Sequence, residues 1–113
     1  TPLLEAPAGI IEPGETAESA ARRECREETG FEAQRITYLG EGFPTPGFCN
    51  EHLSFFLAED LHFTKTDFDP DEWIEPVKMT IPRFQEALDQ HRVMDLKTQL
   101  IYFQFCRYKG LTP

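Results

Sequence analysis

Glu24, Glu27 and Glu28 stand at i, i+3 and i+4. On a helix that spacing puts all three carboxylates on one face. Ala17, Ala20 and Ala21 share the same stripe in the preceding turns. Small apolar residues therefore run into a triple acid, the pattern of a face that meets the protein at one end and a polar cleft at the other. Like charges at this spacing cost a few tenths of a kcal/mol per pair, and more when partly buried. Something cationic should offset that repulsion. Arg22, Arg23 and Arg26 are one source, but Arg22 and Arg26 point away from the stripe and only Arg23 flanks it as an i, i+4 partner of Glu27. The other source is a hard divalent cation, which prefers clustered oxygen ligands.

The surrounding residues supply the elements that would present this stripe. Thr16 is a good N-cap, Ala17 to Thr29 is rich in helix formers, and Gly30 ends the run at C′. Ile10 to Glu15, punctuated by Pro13-Gly14, is a loop, and Leu3-Leu4-Glu5-Ala6 before it is a short strand stopped by Pro7. Arg35 to Leu39 and His52 to Leu57 read as strands, with Phe43 to Asn50 a turning loop between them. Asp60 to Asp71 is expected as a mobile loop and Glu72 to Met79 as a further strand. Pro82 opens a helix running to about Arg92, and Asp95 caps a last helix, marked by the spacing of Leu96, Leu100, Tyr102 and Phe103, that Gly110 stops. Strands mixed with helices that cannot all be crossovers predict an α+β sandwich, helices packed around a mixed sheet.

At 113 residues the chain is one domain's worth. Hydrophobic residues make up 40% and charged residues 27%, the ordinary globular range. Ten phenylalanines suggest a core built largely on Phe. Twenty acidic against eleven basic residues give a net charge of −9. Such a surface repels phosphate backbones and anionic membranes, which argues against nucleic-acid and membrane partners. A small polyanion remains possible where divalent metal stands between the acids and the phosphates. No apolar run approaches a membrane span and no signal peptide opens the chain. Cys25, Cys49 and Cys106 form no CxxC pair, and their odd number and wide spacing point to a reducing, cytoplasmic compartment.

Gly9, Glu15, Arg23-Glu24-Cys25, Glu27-Glu28 and Gly30-Phe31 resemble the Nudix box, G-x5-E-x7-R-E-U-x-E-E-x-G-U, where U is a bulky apolar residue. Seven identity-fixed positions match, a coincidence of about 10⁻⁸ per starting point at average residue usage. The resemblance implies a Nudix-like α/β/α fold and hydrolysis of a nucleoside diphosphate linked to another group. It implies Mg²⁺, with Mn²⁺ possible, held by Glu24 and Glu28 as principal ligands, Glu27 as a further one and the Ala8 carbonyl completing the sphere. Gly9, Glu15 and Gly30 are structural in the motif, and Arg23 braces the loop and orients the acids.

The flanks resemble those of ADP-ribose and related nucleoside diphosphate sugar pyrophosphatases. Glu5-Ala6-Pro7-Ala8-Gly9 looks like their E-x-P-A-G lead-in, and Pro46 lies sixteen residues past Gly30, where they carry a marker proline. Pro46-Gly47-Phe48-Cys49-Asn50-Glu51 looks like their P-G-F-x-x-E loop, placing Pro46 and Glu51 beside substrate. Asp95-Leu96-Lys97-Thr98 resembles their D-x-K-T. The resemblance also implies a general base on a loop before the last helices, for which Glu72 is the candidate and Glu75 the second, and a homodimer. Members of the subgroup carry strands ahead of the box, so residues 1–113 are expected to form a single Nudix-like domain lacking N-terminal strands. The substrate expected is ADP-ribose, cleaved to AMP and ribose 5-phosphate, or a related nucleotide sugar. The alternative is a non-catalytic module that senses such a nucleotide. A calcium-type loop at Asp67 to Asp71 fails for want of the required glycine, and His52, His62 and His91 show no shared spacing.

Overall fold

The computed structural model describes residues 6–45, 47, 51–64 and 75–113. Their order is α1 (Ala17–Thr29), β1 (Phe31–Gly42), β2 (Leu53–Phe63), α2 (Ile81–Asp89) and α3 (Leu96–Lys109). The first helix begins and ends where its caps predict. Thr16 accepts the Ser19 N–H while the Ser19 hydroxyl accepts the Thr16 N–H, a reciprocal capping box. Gly30 takes the left-handed conformation at φ 79°, which a side chain would disfavour, and its N–H closes the helix on the Arg26 carbonyl.

From Gly30 the chain turns straight into the sheet. β1 and β2 pair antiparallel from Phe31↔Phe63 to Gly42↔Leu53, with an irregularity between Tyr38 and Gly40 that leaves Leu39 unpaired. Both strands are longer than their apolar runs. Expected as loop, Asp60 to Phe63 instead continues β2, because Phe31 to Ala33 offers it a partner immediately after α1. Among the described residues this antiparallel pair is the whole sheet. Of the further strands expected, Leu3 to Glu5 and Glu72 to Ile74 lie outside the described residues, and Glu75 to Met79 is exposed chain without strand pairing. The structure is α+β, with helices packed against an antiparallel sheet.

α1 packs on both strands and α3 on β1. Arg22 of α1 donates to the Ala33 carbonyl of β1 at 2.7 Å, and Lys109 of α3 reaches Glu59 of β2 at 2.7 Å. The last helix buries Thr98, Tyr102 and Cys106, one i, i+4, i+8 stripe. Of the residues whose spacing signals the helix, Tyr102 is thus buried, while Leu96, Leu100 and Phe103 face outward. No described helix is long and apolar enough to cross a membrane.

The buried set is Ala20, Ala33, Phe55, Ala87, Val93, Tyr102 and Cys106 with Thr98, so Phe55 is the one buried phenylalanine among the described residues. The phenylalanine core expected from composition is corrected accordingly. A two-stranded sheet offers too narrow a platform to cover many large rings on all sides, and the buried residues of α1 and β1 are the small Ala20 and Ala33. Replacing Phe55 by Ala is expected to lower stability by about 3 kcal/mol through lost burial and the cavity left behind. Urea unfolding monitored by circular dichroism measures it.

Candidate active site

The loop ahead of α1 is tied to the helix through one arginine. The Glu12-Pro13-Gly14-Glu15 turn is closed by the Glu15 N–H on the Glu12 carbonyl at 3.0 Å, and the Glu15 carboxylate accepts the Glu12 N–H at 2.9 Å. The other face of that carboxylate takes Arg23 in a fork, Nε at 2.8 Å and Nη2 at 3.0 Å. Nη2 also donates to the Ile10 carbonyl at 2.9 Å, while Nη1 donates to Glu24 at 2.8 Å and Glu27 at 3.1 Å. All five N–H groups of the guanidinium are therefore engaged, on a side chain only 17% exposed. Hydrogen bonding from Arg23 holds the Glu15 carboxyl below the usual carboxylate range, and the same contact pushes the guanidinium pKa up. A depressed carboxyl pKa means the brace is present above that range and is lost as pH falls through the lowered value.

The segment before the loop closes the other side. The Ala8 N–H donates to Glu28 Oε2 at 2.8 Å. Gly9 lies so close to Glu24 that a Cβ built on it would overlap the Glu24 carboxyl group. Ala8, Gly9, Ile10 and Glu12 thus face Arg23, Glu24, Glu27 and Glu28 across a cleft of about 360 Å³. The cleft collects every carboxylate of the predicted stripe together with the Ala8-Gly9 backbone. Among the described residues no three acids, cysteines or histidines already stand close enough together to hold an ion. Glu24 and Glu27 share Arg23 Nη1 instead.

Gly9 admits no alternative without moving a carboxylate. Because the obstructing atoms are the tip of a flexible side chain, Gly9→Ala is expected to displace Glu24 at little cost in stability. Turnover should fall about 10- to 100-fold while the melting temperature stays near wild type. Steady-state kinetics beside a thermal melt separates the two effects.

The remaining predicted positions fall elsewhere. Glu51 is exposed at the entry to β2 and is not among the residues lining the cleft. Glu75 is exposed as well. Pro46 and Glu72 lie outside the described residues. Glu12 was not singled out by the sequence, yet it lines the cleft and approaches Arg23 at 3.9 Å. Its signal was its place as the acid opening the Pro-Gly turn three residues before Glu15.

Residues 2–97 match the NUDIX domain family. The chain belongs to the Nudix family. Enzymes of this family generally depend on a divalent metal, in keeping with the all-oxygen donor set around the cleft. The Nudix chain is 37% identical over 98 residues to the ADP-ribose pyrophosphatase of Bacillus subtilis, covering 85% of this chain and 53% of that protein. It is 32% identical over 112 residues to the GDP-mannose pyrophosphatase of Yersinia enterocolitica, covering 96% of this chain and 58% of that one. A crystal structure of an ADP compounds hydrolase superposes with a TM-score of 0.79 at 26% identity, over 90% of this chain and 56% of the other. The chain thus spans about half the length of the curated relatives it matches. In this Nudix chain the box glutamates, the turn and the lead-in to the box converge on one cleft.

Proposed function

We propose that this protein hydrolyses the pyrophosphate bond of ADP-ribose, giving AMP and ribose 5-phosphate, or of a related nucleoside diphosphate sugar. The observation that carries the reading is the cleft in which Glu24, Glu27 and Glu28 face the Ala8-Gly9 backbone. With a net charge of −9 the protein cannot hold a pyrophosphate there unaided, so a divalent metal is part of the proposal. Mg²⁺ is the ion proposed, with Mn²⁺ as its substitute. Glu24, Glu28, Glu27 and the Ala8 carbonyl would hold it. When bound it neutralises phosphoryl charge and lowers the pKa of water near the scissile bond.

The chain's own residues do the rest. Arg23 keeps Glu24 and Glu27 on one side of the cleft and couples them to the Glu15 loop, while the Ala8 N–H orients Glu28. Arg23 takes Oε1 of Glu24 and Oε2 of Glu27, so each carboxylate keeps a second oxygen to offer an ion. Glu72 is proposed as general base, with Pro46 and Glu51 beside the substrate. The relatives named for ADP-ribose and GDP-mannose support a nucleotide-sugar substrate.

A homodimer in a cytoplasmic, reducing compartment completes the proposal. The outward Leu96, Leu100 and Phe103 stripe supports a covered helix face, and the free thiols of Cys25 and Cys106 are in keeping with reducing conditions. Incubating the protein with ADP-ribose and Mg²⁺ and separating nucleotides by chromatography tests the activity, with Glu28→Gln as control. AMP from the wild type and not from the control supports the reading. ADP-ribose bound but left intact by the wild type would overturn hydrolysis in favour of a sensing role.

A further inference from the structure

We propose that Thr98, polarised by Asp95, is a positioning residue for the Ala6–Gly9 segment and through it for the metal site; this rests on the functional reading above. Thr98 lies in the first turn of α3, 92 positions from Ala6, yet the Ala6 N–H donates to its Oγ1 at 2.8 Å. It is the buried polar side chain of the described residues, 4% exposed. A hydroxyl has one hydrogen and two lone pairs. Here the hydrogen goes to Asp95 Oδ2 at 2.7 Å, which leaves a lone pair for Ala6. An anionic acceptor on one side of a hydroxyl strengthens the bond it accepts on the other.

The cap of α3 does not need that hydroxyl. Asp95 Oδ2 already accepts the Thr98 N–H at 3.2 Å, the ordinary N-cap bond, which valine at the same position would retain. The hydroxyl is therefore surplus to the helix and committed to the distant segment. Pro7 has no N–H, so Ala6 and Ala8 carry the two donors that flank it. One is fixed on α3 through Thr98 and the other on α1 through Glu28. The segment is clamped between two helices, and the Ala8 carbonyl lies at most about 10 Å along the chain from the anchored Ala6 N–H. Gly9, pressed on Glu24, follows at once. Releasing Ala6 lets Ala8 and Gly9 drift relative to Glu24 and Glu28 and loosens the ligand set.

Titration with Mn²⁺ alone, reading free Mn²⁺ by electron paramagnetic resonance, tests this on wild type, Thr98→Val, Thr98→Ser and Glu28→Gln. Thr98→Val, isosteric but without the hydroxyl, is expected to weaken Mn²⁺ binding about tenfold, the scale of a lost outer-shell partner. Thr98→Ser, which keeps Oγ, should bind as the wild type does. Wild-type affinity in Thr98→Val, or equal weakening in Thr98→Ser, would overturn the proposal. If Thr98→Val does not fold, Asp95→Asn replaces it: the cap is kept, the charge on the hydroxyl is lost, and unchanged Mn²⁺ binding overturns the proposal. Mn²⁺ binding indifferent to Glu28→Gln would instead sink the ligand assignment, and the positioning role with it. Binding lost in Glu28→Gln but untouched in Thr98→Val leaves the functional reading standing and removes the positioning role alone.

Discussion

Glu28→Gln is expected to lower kcat for ADP-ribose hydrolysis about 10³-fold while leaving the protein folded. The substitution keeps the shape of the side chain and an oxygen able to accept the Ala8 N–H, so the contact between the box lead-in and α1 survives. What it removes is a full negative charge from a cleft whose proposed role is to gather cations. Metal-ion stabilisation of developing phosphoryl charge amounts to several kcal/mol, and about 4 kcal/mol corresponds to a factor near 10³. The melting temperature should move by no more than about 4 °C, because a partly exposed cleft acid contributes little to the core. Near-full turnover in this variant would remove Glu28 from the proposed ligand set. Single-turnover measurements over a range of Mg²⁺ concentrations distinguish weakened metal binding from a slowed chemical step.

Arg23→Lys is expected to lower turnover about 10- to 100-fold with substrate KM nearly unchanged. Lysine retains the positive charge, so an argument from net charge alone predicts no effect. The structure predicts otherwise because the guanidinium serves five acceptors: two on Glu15, the Ile10 carbonyl, Glu24 and Glu27. An ammonium has three donors radiating from one atom and cannot span them. The Glu15 loop and the two carboxylates would lose their common anchor, the kind of outer-shell loss that costs about 10- to 100-fold. The concentration of Mg²⁺ giving half-maximal rate should rise in parallel. A fully active Arg23→Lys would mean that the cleft needs only a cation there and not a planar fork.

The two cleft variants differ from Phe55→Ala in kind. Phe55 lies within the packing between strands and helices, so its loss should appear as stability, whereas Glu28 and Arg23 act on the cleft and should appear as rate. Gly9→Ala stands with the cleft group although it changes the backbone segment, since what its methyl group displaces is the Glu24 carboxyl.

The first helix and its acid stripe were legible from the residues alone. Thr16 and Gly30 bound α1 through capping, which depends on immediate neighbours, and the i, i+3, i+4 spacing puts three glutamates on one face whatever the rest of the chain does. The box motif, and with it the family, is likewise a matter of spacing along the sequence. Local rules also found α2, from Pro82 in its first turn, and α3, from Asp95 before Leu96.

Other properties depended on partners remote in sequence. Periodicity identified α3 as a helix, but two stripes of it were apolar enough to be buried. Packing on β1 chose Thr98-Tyr102-Cys106 and left Leu96-Leu100-Phe103 outside. β2 ran on through Asp60 to Phe63 because β1 was there to pair with it, while Glu75 to Met79, expected as strand, found no such partner among the described residues. Spacing showed that Arg23 could reach Glu27; only the folded loop brought it the Ile10 carbonyl and Glu15. The 92-residue separation between Ala6 and Thr98 is beyond any local rule. Hydrogen-bonding capacity is written in each residue, but the partner that uses it is set by the long-range packing of the chain, and in this protein that packing arranges the cleft.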